Sequence, residues 1–276
     1  MNAGIWTGMY AELPLHEALR TLHGCGWRAF EISTEHLAAI ESAPEPQREI
    51  DLALQCVSEL ALAAPQAHAH LKADVASPDV AQREQDLARL LAHTELAARL
   101  GVRHVVMHPG GKGRCTTRAE LQRTRQLNVE AFCRLGDFAG ERQLTIGIEN
   151  LMGRGVATPL ELLDLLDAIQ HPAIGITLDT SHANAVGLAV PSVIRELGPR
   201  LVATHISDNN GTSDQHLSPG GGTIDWPASM RAFRETGYTG IFNLEIPGER
   251  HQTPALRQLK ARHALAVTTW LLSLAE

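Results

Sequence analysis

The sequence has no Cys-x-x-Cys pair, no apolar run of the roughly 18 residues that a membrane helix requires, no excess of basic charge, and few aromatics. Each shortage excludes something. Cys25, Cys56, Cys115 and Cys133 lie far apart, without zinc-finger or redox spacing, and are expected as reduced thiols with no assigned role. The absence of a long apolar run removes a membrane partner. The first residues, Met1-Asn2-Ala3-Gly4-Ile5-Trp6, do not read as a basic region followed by an apolar one, so a cytoplasmic location is the default expectation. With 24 Lys and Arg against 31 Asp and Glu, the net charge of -7 disfavours nucleic acid as a partner, though it leaves room for a local basic patch. Only eleven residues are Phe, Trp or Tyr, yet fourteen are His.

Short apolar runs rich in Val and Ile alternate with longer segments of helical periodicity. Strands are expected near residues 4–6, 29–31, 65–68, 104–107, 145–148, 175–178, 202–204 and 241–244, with helices such as 82–100, 159–169 and 256–274 between and after them. Gly101 and Gly237 stand where helices should close. Eight strand-helix units in this length match an α/β fold of the (β/α)8 TIM barrel type, one domain over residues 1–276. A doubly wound open sheet is the alternative. It would place a glycine-rich phosphate loop after the first strand, and Trp6-Thr7-Gly8-Met9-Tyr10 is not one.

In such barrels the active site sits at the C-terminal ends of the strands, so polar residues that close apolar runs are candidates. Glu31, His68, His108, Glu149, Asp179, His205 and Glu245 close strands two to eight in order, with His182 just after Asp179 and Asp214 and His216 in the irregular stretch 208–222. Taken singly, each has a bland account. A lone strand-end histidine such as His68 is more often packed than ligating, and His23, His70 and His104 are read that way. Asp179-Thr180-Ser181-His182 could cap a helix, and Asp225 before Trp226-Pro227 is read as such a cap. Jointly, imidazoles and carboxylates at one end of six consecutive strands point to a divalent cation, Zn, Mn, Mg or Co, because carboxylates buried around one point cost several kcal/mol each without one. Pro109-Gly110-Gly111-Lys112-Gly113-Arg114 is either an ordinary turn or a backbone cradle with Lys112 and Arg114 reaching an anionic group; Glu31, Lys112 and Arg114 are the candidate substrate contacts.

The segments Val106-Met107-His108-Pro109-Gly110, Ile148-Glu149-Asn150, Leu178-Asp179-Thr180-Ser181-His182, His205-Ile206-Ser207-Asp208, Asp214-Gln215-His216 with Pro219-Gly220, and Leu244-Glu245-Ile246-Pro247 resemble the xylose isomerase-like barrel superfamily. That group includes sugar phosphate isomerases and epimerases and the endonuclease IV (AP endonuclease family 2) nucleases. The resemblance to tagatose epimerase-like members implies one ion on Glu149, Asp179, His205 and Glu245, proton transfer between the two glutamates, and His182 on a substrate hydroxyl. The resemblance to endonuclease IV implies three zinc ions on His68, His108, Glu149, Asp179, His182, His205, Asp214, His216 and Glu245. Against a DNA substrate, His68-Ala69-His70-Leu71-Lys72-Ala73-Asp74 offers no aromatic for stacking. The expectation is therefore a metal-dependent isomerase or epimerase of a small polyhydroxylated sugar or sugar phosphate with one to three ions. A multinuclear phosphoester hydrolase is the alternative, with a lyase or dehydratase after it. The resemblance also implies that outer helices can pair in a homo-oligomer; the C-terminal helix 256–274, with Trp270 near its end, is read as packing either on the barrel or on such a partner.

Overall fold

Every apolar run expected as a strand is one. The computed structural model describes residues 1–111, 117–153, 157–247 and 253–274. Its strands are β1 (Asn2–Trp6), β2 (Ala29–Ile32), β3 (Ala63–His68), β4 (His104–Met107), β5 (Thr145–Glu149), β6 (Ile174–Asp179), β7 (Leu201–His205) and β8 (Ile241–Leu244). All neighbours are parallel, in the order β7-β6-β5-β4-β3-β2-β1-β8. The last seam, between β7 and β8, is closed differently. Ile206 N donates to Asn243 O (2.7 Å), Glu245 N to Ile206 O (3.1 Å), and Thr204 Oγ1 accepts from Asn243 N (3.2 Å) while donating to Ile241 O (2.7 Å). A threonine side chain thus stands in for part of the ladder, and it sets the ends of β7 and β8, which carry His205 and Glu245, side by side.

The helices are α1 (Leu15–Gly24), α2 (Thr34–Glu41), α3 (Pro46–Glu59), α4 (Val80–Arg99), α5 (Arg118–Glu141), α6 (Pro159–Ile169), α7 (Thr180–Ala185), α8 (Val190–Leu197), α9 (Trp226–Thr236) and α10 (Pro254–Ser273). Local sequence explains their starts. Asp79 accepts from Ala81 N and Gln82 N to begin α4, and Thr117 with Glu120 and Thr158 with Glu161 form reciprocal capping boxes on α5 and α6. Asp225 caps α9 through Ala228 N, as expected, and Gly237 ends that helix at φ +68°, a conformation glycine adopts without strain. Between the barrel and its helices lies one apolar layer that includes Trp27, Phe30, Phe132, Phe233 and Phe242. Helix α10 packs on the barrel through Ala261, Ala264 and Leu271, while Trp270, at 58% exposure, points to solvent. No helix among the described residues is long and apolar enough to cross a membrane. Cys25, Cys56 and Cys133 are free thiols; Cys115 lies outside the described residues.

Candidate metal centre

Strand geometry brings the polar residues together. Glu149 and Asp179 are the last residues of β5 and β6, His68 and His205 the last of β3 and β7, and His108 and Glu245 follow β4 and β8 directly. Parallel register places them around one mouth, and the loop after β7 adds Asp214 and His216 from above. Eight of the nine expected ligands meet in three linked groups: His68, His108 and Glu149; Glu149, Asp179, His205 and Glu245; Asp179, His182 and His216. Within each group the donor atoms lie within 4.8 Å of one another. Asp214 joins the third group, its Oδ1 2.9 Å from His216 Nε2 and its Oδ2 3.3 Å from His182 Nε2.

Glu149 lies at the junction. Its Oε2 is 3.1 Å from both His68 Nε2 and His108 Nε2, and its Oε1 is 2.9 Å from His205 Nδ1 and 3.7 Å from His182 Nδ1. Burial pushes its pKa up, but His205, His108 and His68 outweigh that and hold it well below the carboxylate range. Asp179 plays the capping role that was one of its two alternatives, and keeps its second oxygen toward the cluster. Its Oδ1 caps α7 by accepting from His182 N (2.7 Å), while Oδ2, fully buried, has no hydrogen-bond partner. Asn150 clamps its backbone from both sides, donating to Asp179 O (3.0 Å) and accepting from Asp179 N (2.8 Å).

The residues fit a divalent cation. A cation bonded at about 2.0–2.2 Å to tetrahedral ligands needs donors roughly 3.2–3.6 Å apart, and the imidazole–carboxylate separations of 2.9–3.7 Å bracket that spacing. Asp179 Oδ2, buried without a hydrogen-bond partner and with His182 Nδ1 no nearer than 3.7 Å, is a donor suited to such an ion. Mixed imidazole and carboxylate donors suit Zn, Mn or Co.

Electrostatics reflect the crowding of acids. His205 loses to burial but gains more from Glu149, Glu245 and Glu31, and its pKa rises well above the usual value. Burial likewise opposes His182 and His216; Asp179 and Asp214 lift the first, Asp214 and Glu245 the second, each to about 10. Asp214 moves the other way: burial raises its pKa, but hydrogen bonds from His182 and His216 bring it well below the ordinary range. Glu245 is pushed up to about 7, chiefly by burial, with His205 opposing.

The outer loop is built, not loose. Asp208, wholly buried, accepts from Asn209 N, Ile224 N, Gly220 N and Trp226 Nε1, and its backbone pairs with Leu217. A Cβ on Gly222 would collide with the Asn209 carbonyl oxygen and the Asp208 carboxylate, so only glycine fits there. His216 sits at φ +45°, a strained backbone for a non-glycine residue. Sequence reading assigned no role to Asp208, Asn150 or Gln66; the one available signal was an Asp directly after strand seven, ahead of a Gly- and Asn-rich stretch.

One expectation is corrected, and one open alternative is decided for the described residues. Glu31 does not line the open mouth: it lies fully buried, with Oε2 2.8 Å from His205 Nε2 and also accepting from Gln66 Nε2. Nor do Gly110 and Gly111 offer a free anion cradle, because Gly110 N donates to Asn128 Oδ1 and Gly111 N to Asp74 Oδ1, both at 2.7 Å. Lys112 and Arg114 lie outside the described residues. His70 and His104, read as packed histidines, are in none of the three groups.

The barrel and its donor cluster define a class: a (β/α)8 protein with an inward-facing imidazole–carboxylate centre at the C-terminal end of its strands. The chain belongs to the xylose isomerase-like TIM barrel family, which it matches over residues 19–269. It is 30% identical over 216 residues to an uncharacterized protein, y4fM, of Sinorhizobium fredii (strain NBRC 101917 / NGR234), covering 76% of this chain and 69% of that one. A probable endonuclease 4 of Nitratidesulfovibrio vulgaris (Hildenborough) is 29% identical over 222 residues, 72% of this chain and 76% of that one. Inosose isomerase of Bacillus velezensis is 26% identical over 161 residues, 55% of this chain and 56% of its own length. Among solved structures, L-ribulose 3-epimerase superposes with a TM-score of 0.83 at 20% identity, covering 100% of this chain and 96% of that one. At that identity the likeness establishes the fold.

Proposed function

We propose that this protein is a divalent-metal-dependent isomerase or epimerase of a small polyhydroxylated carbonyl compound, a sugar or sugar phosphate. The observation that carries the reading is the pairing of Glu149 and Glu245 about one position. They come from strands five and eight and both reach His205 Nδ1, at 2.9 and 3.3 Å, in the group that Asp179 completes. The full-length likeness of fold to sugar epimerases and the sequence likeness to inosose isomerase support it.

Glu149, Asp179, His205 and Glu245 would hold a cation, which would supply Lewis acidity at the substrate carbonyl. The protein's own groups do the rest. One glutamate oxygen takes the proton as the C–H bond beside the carbonyl breaks; the other carboxyl group returns a proton to the opposite face, which inverts the carbon. His182, partly open to the cavity, donates to a substrate hydroxyl. Turnover of ketoses or their phosphates in deuterium oxide tests this directly. Deuterium is expected at the inverted carbon, and Glu245→Gln should abolish both inversion and exchange. Inversion without solvent exchange would sink the two-glutamate transfer.

A second reading rests on a separate observation: Glu149 and Asp179 each belong to two donor groups, so that three groups form one continuous cluster. Such a cluster suits a multinuclear phosphoester hydrolase, in which His68, His108, Asp214 and His216 would be ligands with a purpose. Metal content per chain separates the readings. About one tightly held ion favours the isomerase, whereas two or three zinc ions with cleavage of a phosphodiester favour the hydrolase.

A further inference from the structure

Four of the five clustered histidines share one arrangement. His68, His108, His182 and His216 each donate Nδ1–H to a backbone carbonyl, of Ala69 (2.8 Å), Leu71 (3.2 Å), Asn150 (2.9 Å) and Glu245 (2.9 Å), and turn Nε2 toward the carboxylates of the cluster, Glu149 for the first two and Asp214 for the last two. His205 is the reverse. Its Nε2 lies 2.8 Å from Glu31 Oε2, and its Nδ1 faces the carboxylates of Glu149 and Glu245. Glu31 is itself held in place: Gln66 Nε2 donates both to the same Oε2 and to Thr204 O (3.3 Å), on the strand that carries His205. Glu31 and His205 have no solvent exposure, and Glu31 Oε1 has no hydrogen-bond partner.

A buried carboxylate with one oxygen unpartnered is a poor way to stabilise a barrel core, since an apolar residue of similar size would cost less. It is a good way to fix an imidazole. We propose that Glu31 is a positioning residue of the metal centre. By accepting Nε2–H it selects the His205 tautomer that presents Nδ1 to the cation, and its charge makes that nitrogen a stronger donor. Among the three donor groups, His205 belongs only to the one formed with Glu149, Asp179 and Glu245. Through His205, Glu31 acts on the ion in that group.

The inference rests on the metal-centre reading, and titration of chelator-stripped protein with Zn²⁺ or Mn²⁺ by calorimetry distinguishes the failure of each. Wild type is expected to bind tightly, and Glu31→Gln to keep the same stoichiometry with about 10–100-fold weaker affinity for one equivalent. Glu31→Asp, which keeps the charge, should recover part of the loss. Equal affinity of Glu31→Gln and wild type overturns this inference alone; a wild type that binds no divalent ion overturns the metal reading with it. If Glu31→Gln does not fold, nitrogen-15 spectra of the histidine rings in metal-loaded wild type decide. A His205 ring protonated at Nε2, with its proton shifted downfield by a carboxylate, is the expected result, and protonation at Nδ1 is the overturning one.

Discussion

The cluster has two halves, and they are held in different ways. The inner half, Glu149, Asp179 and His205, sits on strand ends, is almost wholly buried, and is braced by Glu31 and Asn150. The outer half, Asp214 and His216, sits on a long loop at 31% and 21% side-chain exposure, and is braced through Asp208, through Asn209 on Ser181 and Asn184, and through His216 on the Glu245 carbonyl. Strand ends are positioned by a ladder that runs through the whole barrel, while a loop of some fifteen residues is positioned by a few side-chain hydrogen bonds. Chemistry that demands the tightest geometry is expected from the inner half, and the outer half can vary without disturbing it.

The largest effect should come from Glu149→Gln. Because Glu149 serves two donor groups, the substitution is expected to lower kcat by about a thousandfold or more and to reduce bound metal; turnover and elemental analysis of the purified variant check it. Next comes the double variant Asp214→Ala/His216→Ala. On the isomerase reading the ion of the inner group stays and kcat falls by less than about tenfold; a loss as deep as that of Glu149→Gln would erase the distinction between the halves and favour the hydrolase. Gly222→Ala should leave the inner half intact while forcing the loop to shift, at a cost of about 2 kcal/mol, read as a Tm lower by about 4–8 °C.

The smallest effect lies away from the cluster, at His36, which is packed against Thr7, Ser33 and the Leu13 carbonyl and whose pKa is lowered by burial. The folded protein takes up that proton less readily than the unfolded chain, whose pKa is about 6.5. The unfolded state therefore binds more protons below that pH, and the contribution of His36 is lost as pH falls. The Tm of wild type should drop more between pH 7.5 and 5.5 than that of His36→Asn, and parallel curves for the two proteins would refute this.

Much of the barrel is legible because its signals are local. Val105-Val106 or Ile146 with Ile148 declare strands, and Asp79, Thr158 and Asp225 declare helix starts, by interactions that span only a few residues. The inner imidazoles and carboxylates were legible for a related reason: in a closed parallel barrel every strand ends at the same mouth, so chain position alone predicts convergence. Glu31 obeyed the same rule of position but not the expected role, since whether a strand-end carboxylate faces the substrate or the back of an imidazole depends on what the opposite strand places there. Asp208 stood in a recognisable segment, but nothing in it showed the role. Its four donors come from residues 209, 220, 224 and 226, and only the folded loop collects them.

The sequence by itself determined the eight-unit barrel, the family, and the set of imidazoles and carboxylates that gather at one end, because periodicity, caps and strand-end positions are properties of neighbouring residues. Only the tertiary structure decided how those groups divide into three linked sets, that Glu149 and Asp179 are the shared members, and that Glu31 stands behind His205. Those are distances between residues as far apart as 174 positions along the chain. They follow from barrel closure and side-chain packing, and no local pattern encodes them.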